Sequence, residues 1–369
     1  MKTKIIAMYL PQYHSIPEND EFWGKGFTDW VTVKKAKPLF DGHIQPRVPL
    51  NDNYYDLSLK ENVKWQAELA KEYGIYGFGV YHYWFNNDKN LLTKPAEIMR
   101  DNDDIPINYF LAWDNANWKR SWSNVYGNAW APIMEKDKNS NQGPEILIPY
   151  ILGTETDWEN HYNYLLTHFK SPNYIKQDGK PIFVILQHDE KIKNMCDYWD
   201  MLAKRDGFNG IHFIFKMKKR SNFTSSDNLF LYEPIHHGWA YKSLFDRVVS
   251  KLFNLIRYHN NVRQYNYDII WKTIIRNAKK SNSNVILGAF VNYDDTPRRG
   301  ERGIIVSGSS PQKFKKYLEE LIKISNSSNK DYIFLTAWNE WGEGAFLEPD
   351  TVNHYAYLKV IKEAIESVN

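Results

Sequence analysis

Cys196 is the lone cysteine in 369 residues. No intramolecular disulfide can form, which fits a reducing compartment. No apolar run approaches the ~20 residues that a membrane-spanning helix needs. The charges nearly cancel, with 47 Lys and Arg against 44 Asp and Glu and a formal net charge of +3, so the basic excess of a nucleic-acid binder is missing. Met1-Lys2-Thr3-Lys4 carries the charge of an export signal. Pro11, Gln12 and His14 interrupt the apolar stretch Ile5–Leu10 at once, however, and no small-residue cleavage site follows. A cytoplasmic location is expected. Repeats, linkers and low-complexity blocks are also missing, so one domain over residues 1–369 is expected. What is abundant is aromatic: 14 Trp, 25 Tyr and 19 Phe, or 16% of the chain. Flat amphipathic rings suit sugar faces as well as cores and interfaces. At 43% hydrophobic and 25% charged, the composition is that of a folded chain.

Apolar, β-rich runs alternate with stretches of helical period. Strands are expected at Ile5–Tyr9, Ile75–Trp84, Ile107–Trp113, Pro181–Leu186, Ile211–Phe215, Leu229–Glu233, Val285–Val291 and Tyr332–Trp338. Helices are expected between them, for example where Leu59, Val63, Ala67 and Ala70 recur before Gly74, and over Lys191–Lys204 and Lys313–Ile324. Runs of Val, Ile, Leu and Phe without polar alternation fit parallel strands buried on both faces. About eight such strands alternating with helices predict an α/β fold, a single (β/α)8 barrel with extended loops after strands 3 and 6. An open doubly wound sheet is the rival. In the second long loop, Phe245, Val248, Val249, Leu252, Phe253 and Ile256 recur at helical spacing, with Arg247, Lys251 and Arg257 beside them. An outer barrel helix or a membrane-surface helix would both show this pattern.

A barrel carries its chemistry at the C-terminal ends of its strands. There the sequence places Tyr13 and His14, His82 and Trp84, Trp113 and Asp114, His188, Glu233, Asn292, and Asn339, Glu340 and Glu343. Acids, amides, His and Trp at one end of a fold make the composition of a sugar site. Within this set, Trp338-Asn339-Glu340-Trp341-Gly342-Glu343-Gly344 sets two carboxylates three residues apart directly after a buried strand. A tight loop can turn both toward one cavity. Desolvation by the indoles raises a carboxyl pKa, as a general acid requires, while a carboxylate that stays ionised serves as base or nucleophile. Such pairs are the common apparatus of glycoside cleavage.

This motif, continued as Phe346-Leu347-Glu348-Pro349, resembles the last strand end of glycoside hydrolase family 99, the endo-α-mannosidases. The opening Tyr9-Leu10-Pro11-Gln12-Tyr13-His14, the run Gly79-Val80-Tyr81-His82-Tyr83-Trp84-Phe85 and the loop Asp294-Asp295-Thr296-Pro297-Arg298-Arg299-Gly300 are similar to a bacterial relative, the WbsX-type group. That group is described as GH99-like and often labelled a glycosyltransferase of surface-polysaccharide loci. The resemblance implies a (β/α)8 barrel and retaining chemistry without metal. It assigns Glu340 as the base that deprotonates the sugar 2-hydroxyl and Glu343 as the acid/base, through a 1,2-anhydro sugar. By the same resemblance Asn339 holds a sugar hydroxyl or orients Glu340, and Tyr13, His14 and Trp84 line sugar subsites. A glycosyltransferase of O-antigen or capsule assembly and a non-catalytic glycan-binding barrel are the alternatives.

Arg298, Arg299 and Arg302 form a basic loop after strand 7. They recognise an anionic group on the glycan or nucleotide, or they pair with Asp294, Asp295 and Glu301. No metal is expected. Asp101-Asn102-Asp103 has a metal-binding spacing but precedes a strand, and His82, His236 and His237 lack acids or Cys at ligand spacing. No cofactor is expected either, since Gly74, Gly77 and Gly79 do not follow a strand as a dinucleotide fingerprint does. The expected partner is a glycan or oligosaccharide, with no nucleic acid.

Overall fold

The computed structural model describes residues 2–119, 145–188, 190–218, 223–240 and 262–368. Eight parallel strands close on themselves: β1 (Lys4–Tyr9), β2 (Gly77–Asn86), β3 (Asn108–Trp113), β4 (Lys180–Ile185), β5 (His212–Lys216), β6 (Asn228–Phe230), β7 (Val285–Phe290) and β8 (Tyr332–Thr336). Each pairs with the next, and β8 returns to β1 with Lys4 opposite Tyr332 and Ala7 opposite Leu335. The protein is a (β/α)8 barrel. The uninterrupted apolar strands read from the sequence are those of this closed sheet, buried inside and out.

Outer helices include α1 (Lys60–Glu72), α2 (Lys94–Asp101), α3 (Glu155–Phe169), α4 (Glu190–Arg205), α5 (Tyr267–Ala278), α6 (Pro311–Ser327) and α7 (Ala356–Val368). Their starts follow local chemistry. Thr154 and Asp157 form a capping box at α3, and Ser310 caps α6 by accepting from the Lys313 amide, with Pro311 in the first turn. The first loop holds two short helices that the sequence pattern did not reveal, Pro17–Trp23 and Asp29–Lys35. A two-stranded parallel ribbon, Arg263–Asn266 with Ile304–Ser307, was not anticipated either. The loops expected after strands 3 and 6 contain residues 120–144 and 241–261, which lie outside the described residues, as does the helix expected at Ser243–Tyr258. No helix among the described residues is long and apolar enough to cross a membrane.

Alternation along each strand decides what reaches the barrel interior. Met8, Phe110, Phe230 and Phe334 fill the centre, with Phe334 5.2 Å from Phe110 and 5.4 Å from Phe230 between ring centroids. Gly79 makes room for them, because a Cβ there would stand 2.8 Å from both Met8 Sδ and the Phe110 ring. On β2, Tyr81 and Tyr83 share the inward face of Gly79. His82 and Trp84 face outward, against His161 and Tyr164 of α3.

Candidate active site

The two motif glutamates meet at the mouth of the barrel. Arg298 Nη1 donates to Glu343 Oε1 at 2.8 Å, and Nη2 donates to Glu340 Oε2 at 3.1 Å and to Asp29 Oδ2 at 2.9 Å. One guanidinium from the seventh strand-end loop thus joins three carboxylates from the first and eighth loops. Its fork geometry allows this where an ammonium would not. Gly342 lets the loops close: a Cβ there would lie 2.6 Å from Arg298 Nε and 2.7 Å from Asp29 Oδ2.

The motif is fixed from behind. Asn339, fully buried, accepts from the Leu10 amide at 2.7 Å and donates to the Leu10 carbonyl at 2.9 Å. Tyr13 donates its hydroxyl to the Asn339 carbonyl at 2.6 Å and accepts from the Trp341 amide at 3.1 Å. Both residues brace the loop with their polar atoms. Glu348 is buried below Trp341 and accepts from Trp341 Nε1, Gln66 and Tyr55 at 2.6, 2.6 and 2.7 Å. Burial pushes its carboxyl up to about 7 despite these donors.

The pair is electrostatically unequal. The Glu340 side chain is 6% exposed and that of Glu343 18%. Burial first, and then the neighbouring Glu343, push the Glu340 carboxyl up to about 8, against the pull of Arg298. The other wall of the mouth carries Tyr81 and Tyr232, whose hydroxyls lie 2.6 Å apart, and Lys216, whose Nζ lies 4.4 Å from the Tyr232 ring centroid. Burial lowers the Lys216 ammonium, while Asp114 and Glu343 act to raise it. Asp114 is pushed up to about 6, chiefly by burial.

The residues singled out from the sequence therefore fall into two groups. Glu340, Glu343, Arg298 and Asn339 come together, with Asp114 on the inner wall and Tyr13 behind the motif. The other candidates have the following neighbours. His14 is buried near Asp56, with burial lowering its imidazole. His82 shares a 2.8 Å hydrogen bond with His161, and burial drives it down to about 3. Trp84 stacks on His161 at 4.3 Å, and Trp113 donates to the Trp84 carbonyl at 2.9 Å. His188 packs edge-on against Phe215, Glu233 is tied to the His237 imidazole and amide, and Asn292 lies against Tyr357 of α7. Arg299 pairs with Asp295 at 3.2 Å. Asp101 ends α2 against Arg100. Among the described residues no group of His, Cys, Asp or Glu could hold a metal.

Asp29, Tyr81 and Lys216 are mouth residues that sequence reading missed. Tyr81 and Lys216 stand on the inward parity of β2 and β5, a signal that was available. Asp29 carried no such signal, since its short helix has no strand to place it.

In fold the chain is similar to the family 99 endo-α-mannosidase of Bacteroides thetaiotaomicron: 15% identical, TM-score 0.56, covering 99% of this chain and 96% of that one. A glycoside hydrolase-like protein gives a TM-score of 0.59 at 12% identity, covering 99% and 94%. In sequence the chain is 28% identical over 372 residues to the uncharacterized protein WxcX of Xanthomonas campestris pv. campestris, covering 98% of this chain and 49% of that protein. The chain spans about half the length of the curated relatives it matches. The family model for the glycosyltransferase WbsX matches residues 5–361, and the chain belongs to the WbsX glycosyltransferase family.

Proposed function

We propose that the protein is a carbohydrate-active enzyme that opens glycosidic bonds of a glycan with Glu340 and Glu343, with retention at the anomeric carbon. The observation that supports this best is the pair itself: two carboxylates at the mouth of a barrel, joined by one guanidinium and unequal in burial. In this reading Glu340 takes the proton of the sugar 2-hydroxyl. The 2-oxygen bonds to the anomeric carbon, and the bond to the leaving oxygen breaks as Glu343 protonates it. Glu343 then deprotonates water or an acceptor hydroxyl, which attacks the anomeric carbon. The anhydro bond opens, and the 2-oxygen recovers its proton from Glu340. A carboxylate whose affinity for protons is raised by burial is a stronger base than an exposed one, which abstraction from a hydroxyl needs.

Tyr232 and Lys216 lie within the electrostatic reach of Glu343, and Asp114 lies within that of Lys216; in this reading the three bind sugar hydroxyls. Arg298 acts here as a positioning residue, since its terminal nitrogens are engaged by protein carboxylates.

The reading has a pH signature. With Glu340 as base and its carboxyl at about 8, the limb of kcat/KM that Glu340 sets rises with pH up to about 8. A rate that falls through this range would make Glu340 the acid and exchange the two roles. The family description favours a second reading, a glycosyltransferase. It predicts turnover only with a sugar nucleotide present. Turnover of oligosaccharides without one contradicts it.

A further inference from the structure

A cleft of about 340 Å³ opens beside the glutamate pair, and the proposed chemistry does not use it. Its walls come from the first loop, from Trp65 on α1 and from the loop after β8, all at the catalytic end of the barrel. Trp341 forms one wall. It stands between Glu340 and Glu343 in the chain, yet neither glutamate lines the cleft. The size falls in the range of small-ligand sites.

The cleft is built, not a gap between mobile loops. The Leu50 amide donates to the Pro349 carbonyl at 3.0 Å and the Thr351 amide to Val48 at 2.9 Å. Arg47 pairs with Asp350 at 3.6 Å. Between these ties Asn51 and Asp52 adopt left-handed φ values of 59° and 54°. Asn and Asp are among the non-glycine residues that take this conformation most readily, and the flanking ties hold two of them in a row.

The lining combines half-buried Trp65 and Tyr355 with the polar side chains of Asn51, Asp52 and Asn53. Aromatic faces beside amides and a carboxylate match the alternating CH and OH surfaces of a sugar. Among the described residues Asp52 and Glu348 line the cleft and no Lys or Arg does, so an acidic sugar would meet like charge.

We infer that this cleft is a second saccharide-binding site, for a neutral stretch of glycan chain held apart from the bond being cleaved. The choice of ligand rests on the glycan-active reading above. The corollary is that the substrate is a polymer that extends past Trp341.

Affinity electrophoresis in gels containing soluble yeast α-mannan, dextran, xyloglucan or, as the acidic control, alginate tests the site without requiring turnover. The wild type and Glu340→Gln are expected to be retarded by at least one neutral polymer and not by alginate. Trp65→Ala and Asn53→Ala should bind that polymer about tenfold more weakly, the loss of one aromatic or polar anchor. Matching melting temperatures establish that the variants fold, and Asn53→Ala in its loop carries the test if Trp65→Ala does not. Retardation unchanged in both variants, retardation abolished by Glu340→Gln, or none by any neutral polymer overturns the inference. Failure of the glutamate chemistry appears separately, as turnover that survives Glu340→Gln.

Discussion

Arg298 carries one positive charge and faces Asp29, Glu340 and Glu343, so the cluster favours keeping a proton. Burial favours that proton on Glu340, the more buried glutamate, whose carboxyl is pushed up to about 8. Arg298→Met removes the cation and leaves the carboxylates without it. The loss of stability should be roughly 3–5 kcal/mol at neutral pH, shrinking as the carboxyls protonate on acidification. The activity limb set by Glu340 should move to higher pH. Arg298→Lys should restore charge without the fork and recover only part of either property. Denaturant unfolding at two pH values and a pH–rate profile read both effects. An unmoved pH–rate limb in Arg298→Met would show that the guanidinium does not tune Glu340.

At the scale of elements, the latch between β1 and β8 sets the catalytic loop. Asn339, fully buried, satisfies both the amide and the carbonyl of Leu10, at 2.7 and 2.9 Å. Asn339→Ala should cost roughly 2–4 kcal/mol by orphaning two buried backbone groups, and turnover should fall as Glu340 loses its seat. Unchanged denaturation midpoints would refute the latch. The barrel itself was legible in the sequence because both faces of its strands are apolar, as in Ile182–Ile185 and Ile333–Leu335. The motif was legible because its two glutamates follow such a strand directly. What misled was parity. At the end of β2, His82 and Trp84 look like site residues by type, but the strand turns them toward α3 and sends Tyr81 and Tyr83 inward. Gly79, which must face the crowded interior, was the clue to that register. Asp29 stayed hidden for another reason: it lies on a short helix with no strand to place it.

Across the whole molecule two sets of buried titratable groups oppose each other. Glu348, Glu340, Asp114 and Asp295 are raised to about 7, 8, 6 and 6, chiefly by burial. A raised carboxyl contributes stability that is full below its unfolded value near 4 and is lost as pH climbs through the folded value. His82, His168 and His236 are lowered to about 3, 3 and 4, again chiefly by burial. Their contribution is full above about 6.5 and is lost as pH falls toward the folded values. The carboxyls therefore cost stability as the solution turns alkaline and the imidazoles as it turns acidic. Glu348→Gln removes one group from the alkaline side, so the drop in melting temperature from pH 6 to 8.5 should be smaller than in the wild type. An alkaline slope identical in the two proteins would remove Glu348 from the account.

The central claim is that Glu340 and Glu343 carry the chemistry. Wild type, Glu340→Gln and Glu343→Gln should be incubated with α-mannosides, other hexosides and bacterial surface polysaccharides, with no sugar nucleotide present, and the products read by mass spectrometry. The account predicts cleavage or transglycosylation by the wild type, reduced at least about a hundredfold in each variant. Turnover that persists in both variants, or that appears only when a sugar nucleotide is supplied, would contradict it.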